Sequence, residues 1–125
     1  MQALVIDDQP VFRRAVSRML KRMGFEVHEA VDGDHGLARI SELGVVELVM
    51  VDWRMPGTSG LHVVEQIRSD GRYAATRVLM VTALDDVIAA NAALVAGANA
   101  FLVKPFGEQD LVARLAQLEL PVRAA

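Results

Sequence analysis

Short apolar runs alternate with amphipathic segments along the whole chain, and this alternation restricts the fold more than any other feature. Runs without polar alternation lie at about residues 2–6, 46–51, 78–82 and 100–103. A strand lacking polar positions is buried on both faces, as in a parallel sheet. A weaker strand segment spans 26–30. Between the runs the period changes to that of a helix. Phe12, Ala15, Val16, Met19, Leu20 and Met23 recur at helical spacing, with Pro10 suited to the first turn and Gly24 to the end. The segment 34–43 puts Leu37, Ile40 and Leu43 on one face, with Asp32 or Asp34 as its cap. Residues 59–70 turn Leu61, Val64 and Ile67 inward behind Ser59 as cap. Residues 85–96 form an alanine-rich helix that stops at Gly97, and 108–119 aligns Leu111, Leu115 and Leu118.

Five β-then-α units with short links predict an α/β fold, a doubly wound five-stranded parallel sheet with five helices on its two faces. The 125 residues suit one domain, and a 53% hydrophobic composition supplies its core. We assign 1–120 to the domain and 121–125 to a C-terminal tail expected to fray. A strand that starts directly after Met1, and a tail that ends soon after the last helix, fit a standalone protein. They equally fit a domain trimmed from a longer regulator.

Several function classes are disfavoured. The chain has no cysteine, hence no disulfide framework and no thiolate chemistry, which suits a cytoplasmic location. Its net charge of -3 is spread without a basic patch, so direct nucleic-acid binding is not expected. No signal peptide is recognisable, and no apolar run is long enough to span a bilayer. No glycine-rich phosphate loop follows the first strand.

In open parallel sheets ligands bind beyond the carboxyl ends of the strands, where the strand order reverses. Asp7 and Asp8 follow the first strand. Asp52 ends the third, ahead of Trp53, Arg54, Met55, Pro56 and Gly57. Thr82 ends the fourth, and Lys104 with Pro105 ends the fifth. Taken singly, the aspartate pair can cap a helix, Asp52 can be a turn residue, Lys104 a solvated lysine and Thr82 a strand-end hydroxyl. Four strand ends carrying polar groups at one edge favour a shared site. Three carboxylates in one cleft repel one another, and an all-oxygen set favours Mg²⁺ or Mn²⁺ over zinc. The same set suits phosphoryl transfer. A carboxylate is already anionic near neutral pH and needs positioning and charge neutralisation rather than a general base. A metal and Lys104 can supply the charge, and Thr82 a hydrogen bond.

Val5-Ile6-Asp7-Asp8, Val51-Asp52-Trp53-Arg54-Met55-Pro56-Gly57, Val81-Thr82-Ala83, Gly97-Ala98 and Val103-Lys104-Pro105-Phe106 occur in that order over nearly the whole chain. Together they resemble the receiver domains of two-component signalling, and in particular the single-domain chemotaxis regulators. The resemblance implies a flavodoxin-like strand order 2-1-3-4-5. It implies a switch that accepts a phosphoryl group on Asp52 from a histidine kinase or phosphotransfer protein and promotes its own phosphorylation and dephosphorylation. Asp8 and Asp52 would bind Mg²⁺ directly, Asp7 through water, and the backbone carbonyl of Arg54 would complete the protein ligands. Lys104 and the Thr82 hydroxyl would contact the phosphoryl group, and the Lys104-Pro105 bond would be cis. Phe101 would be the aromatic switch residue, moving with Thr82. The output face would be the fourth helix, fifth strand and fifth helix, in a monomer or a phosphorylation-dependent dimer.

The chemotaxis relatives carry tyrosine where this chain has Phe101, so a partner that reads a hydroxyl there is not expected. Arg54 and Leu84 lie two residues after Asp52 and Thr82, in positions that flank the phosphoryl group in the family. Arg54 would pair with the phosphoryl oxygens or with an acidic neighbour, and Leu84 would shield them, giving slow to moderate dephosphorylation. His28, His35 and His62 are read as surface residues, and Trp53 as a fluorescence reporter of metal binding. A competing reading is a phosphatase or dehalogenase of the haloacid type, which also uses a strand-end aspartate. Such enzymes carry a second aspartate two residues later, where this chain has Arg54, and a cap insertion for which there is no room.

Overall fold

Alternate residues of a strand face opposite sides of a sheet, and in this protein both sides are covered. The computed structural model describes residues 1–121. Its strands are β1 (Gln2–Ile6), β2 (Glu26–Ala30), β3 (Leu48–Asp52), β4 (Arg77–Ala83) and β5 (Ala100–Lys104). They pair in parallel in the order β2-β1-β3-β4-β5. The helices are α1 (Pro10–Arg22), α2 (Gly33–Leu43), α3 (Gly60–Arg68), α4 (Val87–Ala96) and α5 (Glu108–Gln117). The expected α/β class, element count and strand order are all present.

Two cores follow from the two-residue period. Ala3, Val5, Leu48, Met50, Leu79 and Val81 face Val16 and Leu20 of α1 and Leu111 and Leu115 of α5. Leu4, Ile6, Val49, Val51, Val78 and Met80 face α2, α3 and α4 through Ile40, Val63, Val64, Ile67 and Ala93. Every residue of β3 is buried, which explains why that segment reads as an unbroken apolar run.

Several boundaries differ from the sequence expectation for local reasons. The third strand begins at Leu48 rather than near 46 and includes Asp52. Helix α4 starts at Val87, because Leu84–Asp86 closes a separate 3₁₀ turn. Asp32, not Asp34, caps α2 by accepting from the His35 amide at 2.8 Å, while Asp34 accepts from the Thr58 hydroxyl. Ser59 caps α3 as expected. On that helix Val63 joins Val64 and Ile67 in the core and Leu61 is only half-buried. His35 and His62 are exposed, and His28 is half-buried. Its ring lies 3.0 Å from Gln2 Oε1 and 3.2 Å from the Arg39 guanidinium, because α2 folds Arg39 over the edge strand. Of the expected tail, residues 122–125 lie outside the described residues.

Candidate functional site

The chain leaves β1 toward β2 on one side and returns to β3 on the other, so the strand order reverses between β1 and β3. Asp7 and Asp8 follow β1, and Asp52 is the last residue of β3. They therefore flank the crevice where ligands of open sheets bind.

Asp7 is buried and fixed on several sides. Its amide donates to the Ala30 carbonyl, and its Oδ1 accepts from the Gln9 amide at 2.8 Å. Its carbonyl accepts from Arg13, a buried arginine of α1 whose Nε donates to Glu29. Asp52 is buried as well. The first residue of α3, Gly60, sits directly over it, where a Cβ would drive into the Asp52 carbonyl oxygen. Lys104 closes the site from β5. Its Nζ donates to Asp7 Oδ2 at 3.0 Å, to Gln9 Oε1 at 3.2 Å and to Asp52 Oδ2 at 3.3 Å. The same ammonium lies 4.2 Å from the centre of the Phe12 ring, which packs edge-on against Phe106. The Lys104-Pro105 peptide bond is cis, as expected.

The electrostatics follow from this crowding. Burial, then the negative charge of Asp7, pushes the Asp52 carboxyl up to about 6, against the opposing pull of Lys104. Asp7, Asp8 and Asp52 each offer one carboxylate oxygen, all within 4.8 Å of one another. The Lys104 ammonium contacts two of these three carboxylates. This all-oxygen, electron-rich set fits a hard divalent cation.

A model of the response regulator receiver domain matches residues 3–116. The chain belongs to that family. It is 33% identical over 118 residues to the chemotaxis protein CheY1 of Helicobacter pylori, with 92% of this chain and 94% of that protein covered. It is 36% identical over 115 residues to the DNA-binding dual master transcriptional regulator RpaA of Synechocystis, covering 92% of this chain and 47% of that one. Among solved structures, Vibrio cholerae CheY4 is similar at a TM-score of 0.86 and 30% identity, with 94% and 97% of the two chains covered. The protein is thus a CheY-like receiver domain, a phosphorylatable switch of two-component signalling.

Within this receiver domain the structure brings Asp7, Asp8, Asp52 and Lys104 together. Thr82 is fully buried, and its hydroxyl donates to the neighbouring Ala83 carbonyl rather than to Asp52. Phe101 is half-buried against the α3–α4 side of the core and pairs in register with Met80. Of the two partners open to Arg54, an acidic neighbour is the one found. Its guanidinium donates to both oxygens of Asp86, at 3.1 and 2.6 Å. Leu84 does not shield the site. It is 74% exposed, because the 3₁₀ turn carries it outward. Sequence reasoning missed Gln9, Phe12 as a support for Lys104, Arg13 and Asp86. Phe12 was visible only as one member of an apolar stripe, and the other three carry no local signal for the site.

Proposed function

We propose that Asp52 is the phosphoacceptor of this receiver and that the site promotes its own phosphorylation and dephosphorylation. The observation that carries this reading is the contact of Lys104 Nζ with two buried carboxylates, Asp7 and Asp52, at the point where the strand order reverses. In the transfer step a carboxylate oxygen of Asp52 attacks the phosphorus of a phosphohistidine on a histidine kinase or phosphotransfer protein. The O–P bond forms as the P–N bond breaks, and the departing imidazole takes a proton. Lys104, already held by Asp7 and Gln9, stays beside the incoming oxygens and offsets their charge without reorganisation. Asp7, Asp8, Asp52 and the backbone carbonyl of Arg54 would hold Mg²⁺ or Mn²⁺. Such an ion would supply the remaining neutralisation of the phosphoryl oxygens. In hydrolysis water replaces the Asp52 oxygen at phosphorus, and the carboxylate is restored.

Thr82 would rotate from the Ala83 carbonyl to the phosphoryl group, and Phe101 would follow on the same sheet face. This biases a two-state equilibrium. The output surface would be α4, β5 and α5, in a monomer or a phosphorylation-dependent dimer, in the cytoplasm. Among the described residues no helix is long and apolar enough to cross a membrane. With Leu84 turned to solvent, a long-lived phosphoryl group would depend on Arg54 alone. A receiver module of a longer regulator is the second reading, favoured by relatives such as RpaA, of which this chain spans under half.

Mass spectrometry after incubation with acetyl phosphate tests the first reading. A Mg²⁺-dependent gain of one base-labile phosphoryl group, absent in Asp52→Asn, is the expected result. No labelling with any divalent metal would remove self-catalysed transfer.

A further inference from the structure

An aromatic pair closes the α1 side of Lys104. Phe12 lies in the first turn of α1, and Phe106 stands two residues beyond Lys104 in the loop after β5. Their rings meet edge to face, with centroids 5.5 Å apart and planes at 89°. The Lys104 ammonium sits 4.2 Å from the Phe12 centroid. Its N–H groups have oxygen partners on Asp7, Gln9 and Asp52. An ammonium has three donors, so the ring is not a fourth hydrogen-bond acceptor. It acts on the charge through its negative π-face. Only 17% of the Lys104 side chain is exposed, and a partly desolvated cation gains more from a ring than an exposed one does.

Asp7, Asp52, Gln9 and Phe12 differ in how they would hold Lys104 during the reaction. Asp7 and Asp52 are also carboxylates that a divalent cation would take, and Asp52 would carry the phosphoryl group. Either event neutralises or redirects an oxygen that now holds the ammonium. Gln9 is exposed and uncharged, so water competes for its hydrogen bond. The Phe12 ring offers no oxygen to a hard cation. It is also fixed, by Phe106 and by packing against the core between the sheet and helices α1 and α5. Among these four contacts it is the one that neither the metal nor the phosphoryl group takes away.

A half-buried phenylalanine on an amphipathic helix is ordinarily a packing residue. The face of Phe12 carries a cation as well. We propose that Phe12 is a positioning residue for phosphoryl transfer, whose ring keeps the Lys104 ammonium at the site while the metal and the phosphoryl group displace its carboxylate partners. The proposal rests on Asp52 as phosphoacceptor. Phe12 touches no reacting atom and acts through Lys104. The lysine is then in place when the phosphoryl oxygens arrive, and it offsets their charge without first being gathered from solvent.

The test replaces Phe12 in the full chain by phenylalanines bearing one, two and three ring fluorines, alongside Phe12→Leu. Fluorine drains the π-face and leaves the shape of the ring nearly unchanged. The rate of labelling by acetyl phosphate at saturating Mg²⁺ should fall with each fluorine, to about threefold to fivefold below wild type at three. Phe12→Leu should fall at least as far. A packing role would lower the rate in Phe12→Leu and leave the fluorine series flat. The second readout is the proton shift of the Lys104 ε-methylene in wild type, which the face of a ring moves upfield. That shift should persist when Mg²⁺ saturates the site, and it is read without any phosphodonor. A flat fluorine series, or an upfield shift that vanishes with Mg²⁺, overturns the proposal, while labelling of wild type keeps Asp52 in its role. If wild type is not labelled, the phosphoacceptor reading falls and the role of Phe12 in transfer falls with it.

Discussion

Helices α1 and α4 lie on opposite faces of the sheet and are held there by different means. Helix α1 is amphipathic. It buries Val16, Ser17 and Leu20 and turns Arg14, Arg18, Lys21 and Arg22 outward. It also supports the site, through Phe12 under Lys104 and Arg13 on the Asp7 carbonyl. Helix α4 has no charged residue and buries only Ala90 and Ala93, while Ile88 and Val95 are 92% and 88% exposed. Alanine brings little apolar area into the core, where Ala93 packs with help from Leu94 and Ala96, and Arg68 adds a hydrogen bond to the Gly97 carbonyl at the C-terminal end. A deep apolar seam fixes one element, and a shallower alanine contact holds the other. This division matches a switch, in which the site must stay rigid while another surface moves.

The sharpest way to break the comparison is to empty the deep seam. Leu20→Ala removes a fully buried side chain of α1 and should cost about 2–5 kcal/mol in urea unfolding. A loss near zero would mean that α1 is no anchor. Arg68→Ala comes next. It leaves the Thr76 and Gly97 carbonyls without their side-chain donor and removes one of the two donors on the Tyr73 carbonyl, which keeps the Thr76 amide, at a cost of about 2–3 kcal/mol. Hydrogen exchange should then quicken at the C-terminal end of α4 and stay unchanged in α1.

The site on the α1 side has its own pH signature. Asp52 has its carboxyl raised from 3.8 to about 6 in the fold. The native state therefore holds its proton where the unfolded chain has released it. Without metal, the contribution of Asp52 to stability is fully present below about pH 4 and is lost as the pH rises through about 6, by at most about 3 kcal/mol. Urea midpoints across that range should flatten in Asp52→Asn. A stability that rises with pH over the same window would contradict the crowding of carboxylates. The smallest effect belongs to the exposed face of α4, where Ile88→Ser should change stability by less than about 0.5 kcal/mol. A larger loss would show that Ile88 packs on something within the chain.

Much of this division was legible in the linear sequence, for reasons of period. The β1, β3 and β4 runs lack polar alternation because both cores are apolar, and α1 carries its stripe at 3.6-residue spacing. Ser59 and Pro10 are terminal signals that act within one turn. Helix α4 was read as alanine-rich, but its alanines alone do not tell which face meets the sheet. Its start was misplaced because Asp85 and Asp86 suit an N-terminus whether the turn is α or 3₁₀. The partial cover of His28 is not legible in the sequence because it comes from Arg39 on another element. Leu84 was assigned a shielding role by position, and the 3₁₀ turn carries it away.

The sequence by itself determined the α/β alternation, the burial of β3 and the presence of acidic, hydroxyl and basic residues at successive strand ends. These depend on interactions over a few residues, where spacing decides the outcome. Only the tertiary structure decided which of those groups meet. Lys104 reaches Asp7 across 97 positions of chain, and Arg54 meets Asp86 across 32. Such pairings depend on strand order, on the path of the loops and on competition among several charged partners. The Asp86 carboxylate meets the Arg54 guanidinium because the turn before α4 and the loop after β3 run beside each other at one edge of the sheet.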